Sequence, residues 1–384
     1  MNKVHVAATS PFPIGLQLSK ADGVYFYDTS GRAYFDFTSG IAVNNLGHRH
    51  PAVVEAIKKQ ADIHLHGMVY GEFEEHPQVR LAATLCSVLP ESLDTVYFCT
   101  SGGEAVEGAM KLAKRYTGRT EICYFKGSYH GSTHGALSIM GSEVYKQAYR
   151  PLLPDTRMLP YNNFEALKLI THSTAGVVVE VVQAASGVTL ANEEWLRALR
   201  QRCTETDTLL IFDEIQTGYG RTGKLFAFEH YGVVPDVLLL AKAMGGGVPI
   251  GAFIAQHDVM NVLSEQPILG HINTFGGNAL ACAAAQATLD TFIAQPELYT
   301  TAARKAEQII EAFTHPKLTH FTHKGLMMAA HFETKAAAYA FMRRSLENGV
   351  VLIGYLFNET AVRFAPPLTI SVDQIEAACA SMRR

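Results

Sequence analysis

Six short runs with almost no polar residue decide what this chain can fold into: TVYFC (95–99), EICYF (121–125), GVVVEVV (176–182), LLIFD (209–213), VLLLA (237–241) and GAFIA (251–255). A strand this apolar has to be covered on both faces, and helices in the connections are the usual cover. The connections supply them. GEAVEGAMKLAKRY (103–116) and EEWLRALRQRC (193–203) carry the 3.6-residue amphipathic pattern. The expected fold class is α/β, with a large domain built on a mainly parallel sheet.

The two ends of the chain read differently. GVYFYDTSGRAYFDF (23–37) contains two β-like runs joined by a turn at 28–31. From about residue 290, helices alternate with short strands such as LMMAAHF (326–332), and the chain finishes in a helix. Both ends together are expected to form a smaller α+β lobe. The expected division is an N-terminal segment 1–50, a large domain 51–285 and a C-terminal small domain 286–384. No internal repeat or low-complexity stretch interrupts this order.

Net charge is −4 and no long basic run occurs, so nothing argues for nucleic acid or an anionic membrane surface. No apolar run reaches the ~18 residues of a spanning helix, and MNKVHVAATSPFPIG (1–15) lacks the apolar core of a signal peptide. The 6 cysteines are scattered without a C-x-x-C pair and read as buried free thiols in a reducing, cytoplasmic setting. The 16 histidines include HRH (48–50) and HLH (64–66), but no metal-ligand spacing, so no metal is expected.

Chemistry is suggested where the strands end. LLIFD finishes in Asp213 and is followed at once by Glu214; VLLLA runs into Lys242, 29 residues after Asp213. Ligands of open α/β sheets bind at the carboxyl ends of strands. A buried acid needs a cationic partner. An acid and a lysine alone would read as a structural ion pair. Three features argue for more. Lys242 lies between an apolar run and AMGGG, a desolvated setting that activates an amine. TSGGEAVEG (100–108) opens a helix after a strand, with Ser101 and Glu104 at capping-box spacing and Gly102 and Gly103 bare enough to cradle a phosphate. GSYHGS (127–132) places an aromatic, Tyr129, after the next strand. A lysine nucleophile, an acid for a ring nitrogen, a phosphate cradle and a stacking aromatic are the set that pyridoxal 5′-phosphate requires.

These residues, in this order, resemble the class III (ω-amino) pyridoxal-phosphate aminotransferases of fold type I, and the acetylornithine/ornithine aminotransferase branch in particular. The resemblance runs from GIAVNNLGHRHP (40–51) through IFDEIQTGYGRTGKLFAFEHYGVVPDVLLLAKAMGGGVPIGA (211–252) to TFGGNALACAAA (274–285) and AVRFAPPL (361–368). It implies that Lys242 holds the cofactor covalently and moves the substrate proton, and that Asp213 pairs with the pyridine nitrogen. It further implies that Gln216 bonds the ring hydroxyl and that Ile215 and Tyr129 pack on the two ring faces. Ser101, Gly102 and Gly103 would bind the phosphate, and Thr274 would reach the phosphate of a partner subunit in a homodimer. Arg363 would take a substrate carboxylate, as in 2-oxoglutarate recognition.

Two positions depart from the branch. Aromatic-H-G-R-T becomes YHGST (129–133), so Ser132 stands where an arginine would clamp the donor's α-carboxylate. E-P-x-Q-G-E-G-G becomes EVVQAASG (180–187), so Ala185 stands where a glutamate would pair with Arg363. A donor other than acetylornithine or ornithine, or one held differently, is therefore expected. The leading expectation is a ping-pong aminotransferase that moves an amino group from an ω-amine or amino acid, acetylornithine- or ornithine-like, to 2-oxoglutarate. The alternatives are an aminomutase, racemase or decarboxylase on the same scaffold, or a non-catalytic dimeric cofactor-binding protein. By default Glu180, Trp195, Met244, Met327 and Met328 read as structural, and Arg221 and Gly223 as turn and interface residues.

Overall fold

The computed structural model describes residues 5–69, 71–74 and 76–383; residues 1–4, the head of the stretch read for a leader, lie outside them. Seven strands form the central sheet: β4 (Thr95–Cys99), β5 (Glu121–Phe125), β6 (Thr156–Leu159), β7 (Thr174–Val179), β10 (Leu209–Asp213), β11 (Val237–Leu240) and β12 (Gly251–Ala255), in the order β4-β12-β11-β10-β7-β5-β6. Only β12 runs antiparallel to its neighbours. Of the apolar runs, four become strands buried along their whole length, β7, β10, β11 and β12, whereas β4 is buried only toward its carboxyl end and β5 only past its first residue. The helices Gly102–Thr117 and Glu193–Glu205 cover the sheet as their amphipathic patterns require.

The run 176–182 is interrupted. β7 stops at Val179, and Val182–Gln183 forms β8, which pairs with β9 (Thr189–Leu190) in a small ribbon. The break falls at Glu180, whose carboxylate turns back to accept from the N–H of Ala184 at 3.1 Å. Beneath it, Trp195 is 0% exposed and meets Phe125 and Tyr161 edge-on at 5.0 and 4.9 Å. Trp195 is thus packing, and Met244, Met327 and Met328 are core residues as well.

The N-terminal meander has three strands rather than two: β1 (Leu18–Asp22), β2 (Tyr25–Asp28) and β3 (Ala33–Asp36). The turn between β2 and β3 closes through the Gly31 N–H donating to the Asp28 carbonyl at 3.0 Å. A C-terminal strand, β15 (Val350–Val351), pairs in parallel with β3, so the two ends of the chain share one sheet. The other C-terminal strands, β13 (Leu318–Lys324), β14 (Met327–Phe332), β16 (Ile353–Gly354) and β17 (Ala361–Phe364), form a sheet in the order β13-β14-β17-β16.

Arg221 differs from its expected role. It is 0% exposed and donates to the carbonyls of Leu326 (3.1 Å) and Pro366 (2.7 Å) and to Asn45 Oδ1. It ties the N-terminal segment and the C-terminal lobe to the loop after β10. Burial lowers its pKa to about 9.

Candidate active site

Because β4, β5, β7, β10 and β11 run parallel, their carboxyl ends lie at one edge of the sheet. The antiparallel β12 brings its first residue, Gly251, opposite Cys99 at the same edge. At the end of β4, Ser101 caps the helix Gly102–Thr117, its Oγ accepting from the Glu104 N–H at 3.2 Å. The return bond differs from a full capping box: the Glu104 carboxylate accepts from the N–H of Thr100 at 2.8 Å, one residue before the cap. The N–H groups of Gly102 and Gly103 belong to the first turn, have no intrahelical acceptor and sit at the positive end of the helix dipole. A Cβ on Gly102 would lie 2.9 Å from Ile215 Cδ1, and one on Gly103 would lie 3.0 Å from Thr133 Cγ2. Only glycine allows this close approach of the β10 and post-β5 loops to the helix start.

Asp213, 4% exposed, ends β10. Its Oδ1 accepts from the Ile215 N–H at 3.0 Å, and its Oδ2 lies 2.7 Å from Nδ1 of the buried His130. His130 Nε2 is buried without a partner among the described residues. Glu180, at the end of β7, accepts from the Tyr129 N–H at 2.8 Å. Burial raises its carboxyl above the ordinary range; His130 opposes this and Asp213 adds to it. The sequence expectation assigned His130 no role. Its signal was its place between the aromatic Tyr129 and Gly131, just past a buried strand.

Glu214 resolves as structural. Its two oxygens accept from the N–H groups of Ala227 and Phe228, each at 2.6 Å, and from Thr217 Oγ1 at 3.2 Å. Burial raises its pKa to about 7, against the pull of those backbone donors. The adjacent acids therefore divide: Glu214 fastens a turn, and Asp213 is held by the Ile215 N–H and by His130 at the end of β10.

Lys242 follows β11, which is in register with β10 so that Asp213 pairs with Leu239. Its φ is +47°, in the left-handed region that costs a non-glycine residue ~1–3 kcal/mol and collects at functional sites. Its Nζ donates to Gln216 Oε1 at 3.4 Å. Burial pushes its pKa down to about 8; Asp213 and Glu180 oppose that shift, and Arg363 adds to it.

Arg363 lies on β17 and is 6% exposed, with Nε and Nη1 unpartnered among the described residues. Its guanidinium carbon lies 4.3 Å from the centroid of the Tyr355 ring. Tyr129 is half-buried and its hydroxyl lies 3.2 Å from Ser132 Oγ. Ala185 is buried, and its carbonyl accepts from the Phe357 N–H at 2.9 Å. Thr274 is exposed on the loop preceding the helix Ala279–Ala294, beside Asn273, whose Nδ2 donates to Glu104 at 3.3 Å. No cluster of three or more metal-ligating side chains occurs among the described residues.

The fold agrees with that of known proteins. The family described as Aminotransferase class-III matches residues 6–384, and the chain belongs to it. Two curated relatives are acetylornithine aminotransferases. The one from Methanocaldococcus jannaschii is 39% identical, covering 98% of this chain and 94% of its own. The one from Methanopyrus kandleri is 39% identical, covering 100% and 96%. Among solved structures, an ornithine aminotransferase from Toxoplasma gondii, described with partial occupancy of PLP at its active site, superposes with a TM-score of 0.91 at 28% identity, covering 98% of this chain and 91% of that one.

Proposed function

We propose that this chain is a pyridoxal 5′-phosphate-dependent aminotransferase that moves an amino group from an amine or amino acid to a 2-oxo acid such as 2-oxoglutarate. The exchange is ping-pong, in a cytoplasmic homodimer. The observation that carries the reading is Lys242. Its amine is desolvated toward a pKa of about 8 and stands at the end of the strand next to Asp213, which is itself buried and held by His130.

The residues present fit the cofactor. Gly102 and Gly103 offer first-turn N–H groups, with Ser101 beside them, to a phosphate. Tyr129 and Ile215 offer an aromatic and an aliphatic face for a ring. Gln216, within 3.4 Å of Lys242 Nζ, suits the ring hydroxyl. Asp213 suits a protonated ring nitrogen, and the 2.7 Å contact with His130 fixes the orientation of its carboxylate. Thr274, exposed at the surface, suits the phosphate of the partner's site. The cofactor supplies the electron sink for the pair released when the substrate C–H bond breaks.

The protein's own part is proton traffic and orientation. Lys242 would be the residue that holds the cofactor, and its Nζ would accept the proton from the substrate carbon when neutral; a pKa of about 8 keeps a useful fraction in the neutral form. Arg363 binds a carboxylate through its two unpartnered nitrogens. The test is consumption of 2-oxoglutarate with matched appearance of glutamate across a panel of amino donors. Absence of any oxo-acid-dependent exchange would count against transamination and favour a reaction that needs no acceptor.

A further inference from the structure

Arg363 is a buried cation without an anion. On β17 it stands between Ile353 of β16 and Ala329 of β14. A guanidinium so enclosed normally meets a carboxylate, because an uncompensated buried charge is costly. Among the described residues it has no ion pair and no acceptor for Nε or Nη1. What it has is the face of Tyr355. That ring is fixed in turn: it is 6% exposed, and its hydroxyl donates to the Met328 carbonyl of β14 at 2.8 Å.

The neighbouring segment offers no acid. Ala185, Ser186 and Gly187 are fastened to the C-terminal lobe through their carbonyls, which accept from the Phe357 N–H (2.9 Å), Asn358 Nδ2 (3.4 Å) and Thr322 Oγ1 (2.7 Å). An aromatic face attracts a cation but does not neutralise it, and it accepts none of the in-plane N–H bonds. The guanidinium therefore keeps its charge and its donors for a ligand.

We infer that Tyr355 is a positioning residue that holds Arg363 permanently open to a substrate carboxylate, so that the amino donor, like the acceptor, presents a carboxylate there and is a 2-amino acid. The inference rests on the aminotransferase reading. A donor reacting through a terminal amine would leave the buried cation uncompensated during its half of the cycle, and among the described residues no side-chain acid pairs with it. The net exchange balances without an external oxidant: the donor's amino group and α-hydrogen are exchanged for the acceptor's oxo oxygen, one water being consumed as the donor leaves as its 2-oxo acid and one released as the acceptor is aminated.

The experiment has two readouts on the cofactor-loaded protein. The first is calorimetric titration with glutarate, which has carboxylates but neither an amine nor an oxo group and so does not react. Tyr355→Leu is expected to weaken glutarate binding roughly tenfold, the scale of a desolvated cation–π contact, and to raise the KM for glutamate far more than it lowers kcat. Tyr355→Phe, which keeps the ring, retains most of the affinity. Equal glutarate binding by the parent and Tyr355→Leu overturns the role of Tyr355. If Tyr355→Leu does not fold, Ala185→Glu takes its place: a carboxylate at the position where the resemblance puts a partner for Arg363 is expected to suppress glutarate binding, and undiminished binding overturns the inference.

The second readout is the half-reaction without oxo acid, followed by absorbance with glutamate, N-acetylornithine or 1,5-diaminopentane. Glutamate is expected to react at least roughly tenfold more efficiently than either terminal amine. Equal or faster reaction of the terminal amines overturns the donor class and leaves transamination standing. No reaction with any donor sinks the aminotransferase reading, and the glutarate titration still decides Tyr355.

Discussion

His130 Nδ1 lies 2.7 Å from Asp213 Oδ2, with both side chains buried and 83 residues apart in sequence. This contact joins the loop after β5 to the end of β10 and sets the direction of the carboxylate that the cofactor ring is proposed to meet. Removing the imidazole strands a buried acceptor. His130→Ala is expected to lower the unfolding free energy of the cofactor-free protein by ~2 kcal/mol, measured by urea denaturation, and to weaken cofactor binding. His130→Asn, which can still donate, should recover part of both. An Ala variant as stable as the parent would show that the contact contributes nothing.

The two adjacent acids should separate by mutation. Glu214 holds two backbone N–H groups at 2.6 Å, so Glu214→Ala orphans both and is expected to cost ~2–4 kcal/mol of stability while leaving the KM of the folded fraction little changed. Asp213→Asn is expected to do the reverse, with stability largely kept and turnover lost. Denaturation curves and steady-state kinetics on both variants check the division.

Lys242 predicts a pH dependence. Its folded pKa, about 8, lies below the ordinary 10.5. Between those values the unfolded chain binds more protons than the folded one, so the stability of the cofactor-free protein should rise with pH across that window. The rate of cofactor capture should climb about tenfold per unit below pH 8, as the neutral amine accumulates, and level off above it. A capture rate still climbing tenfold per unit beyond pH 9 would place the amine in an ordinary environment.

Ser132 is exposed, and its Oγ lies 3.2 Å from the Tyr129 hydroxyl. An arginine there has room to reach a donor's α-carboxylate. Ser132→Arg is expected to raise kcat/KM for N-acetylornithine by roughly tenfold or more, the scale of a charge-assisted hydrogen bond. No gain over the parent would mean that the serine is not what limits that donor.

Much of the scaffold was legible because its signals are local. TVYFC, EICYF, LLIFD and GAFIA are strands over the residues expected, and VLLLA is one residue shorter. The misses have non-local causes. Glu180 broke an apolar run because its carboxylate closes on Ala184. β15 joins β3 across more than 300 residues, a parallel pairing that leaves no mark on either segment. The same holds at the site. Asp213 and Lys242 stood out at strand ends, whereas His130 and Tyr355 are defined by the groups they face. Arg221, read as an interface residue, proved to be a buried clasp because its acceptors come from loops at 45, 326 and 366.

The most direct test of the whole account is the absorbance of the purified, cofactor-loaded protein as glutamate is added without oxo acid and 2-oxoglutarate is then supplied, with Lys242→Ala as the control. The account predicts a visible band from cofactor joined to Lys242 that is lost with glutamate, returns with 2-oxoglutarate, and is missing from the variant before any substrate is added. A parent protein without the band, or a band that glutamate leaves unchanged, would contradict it.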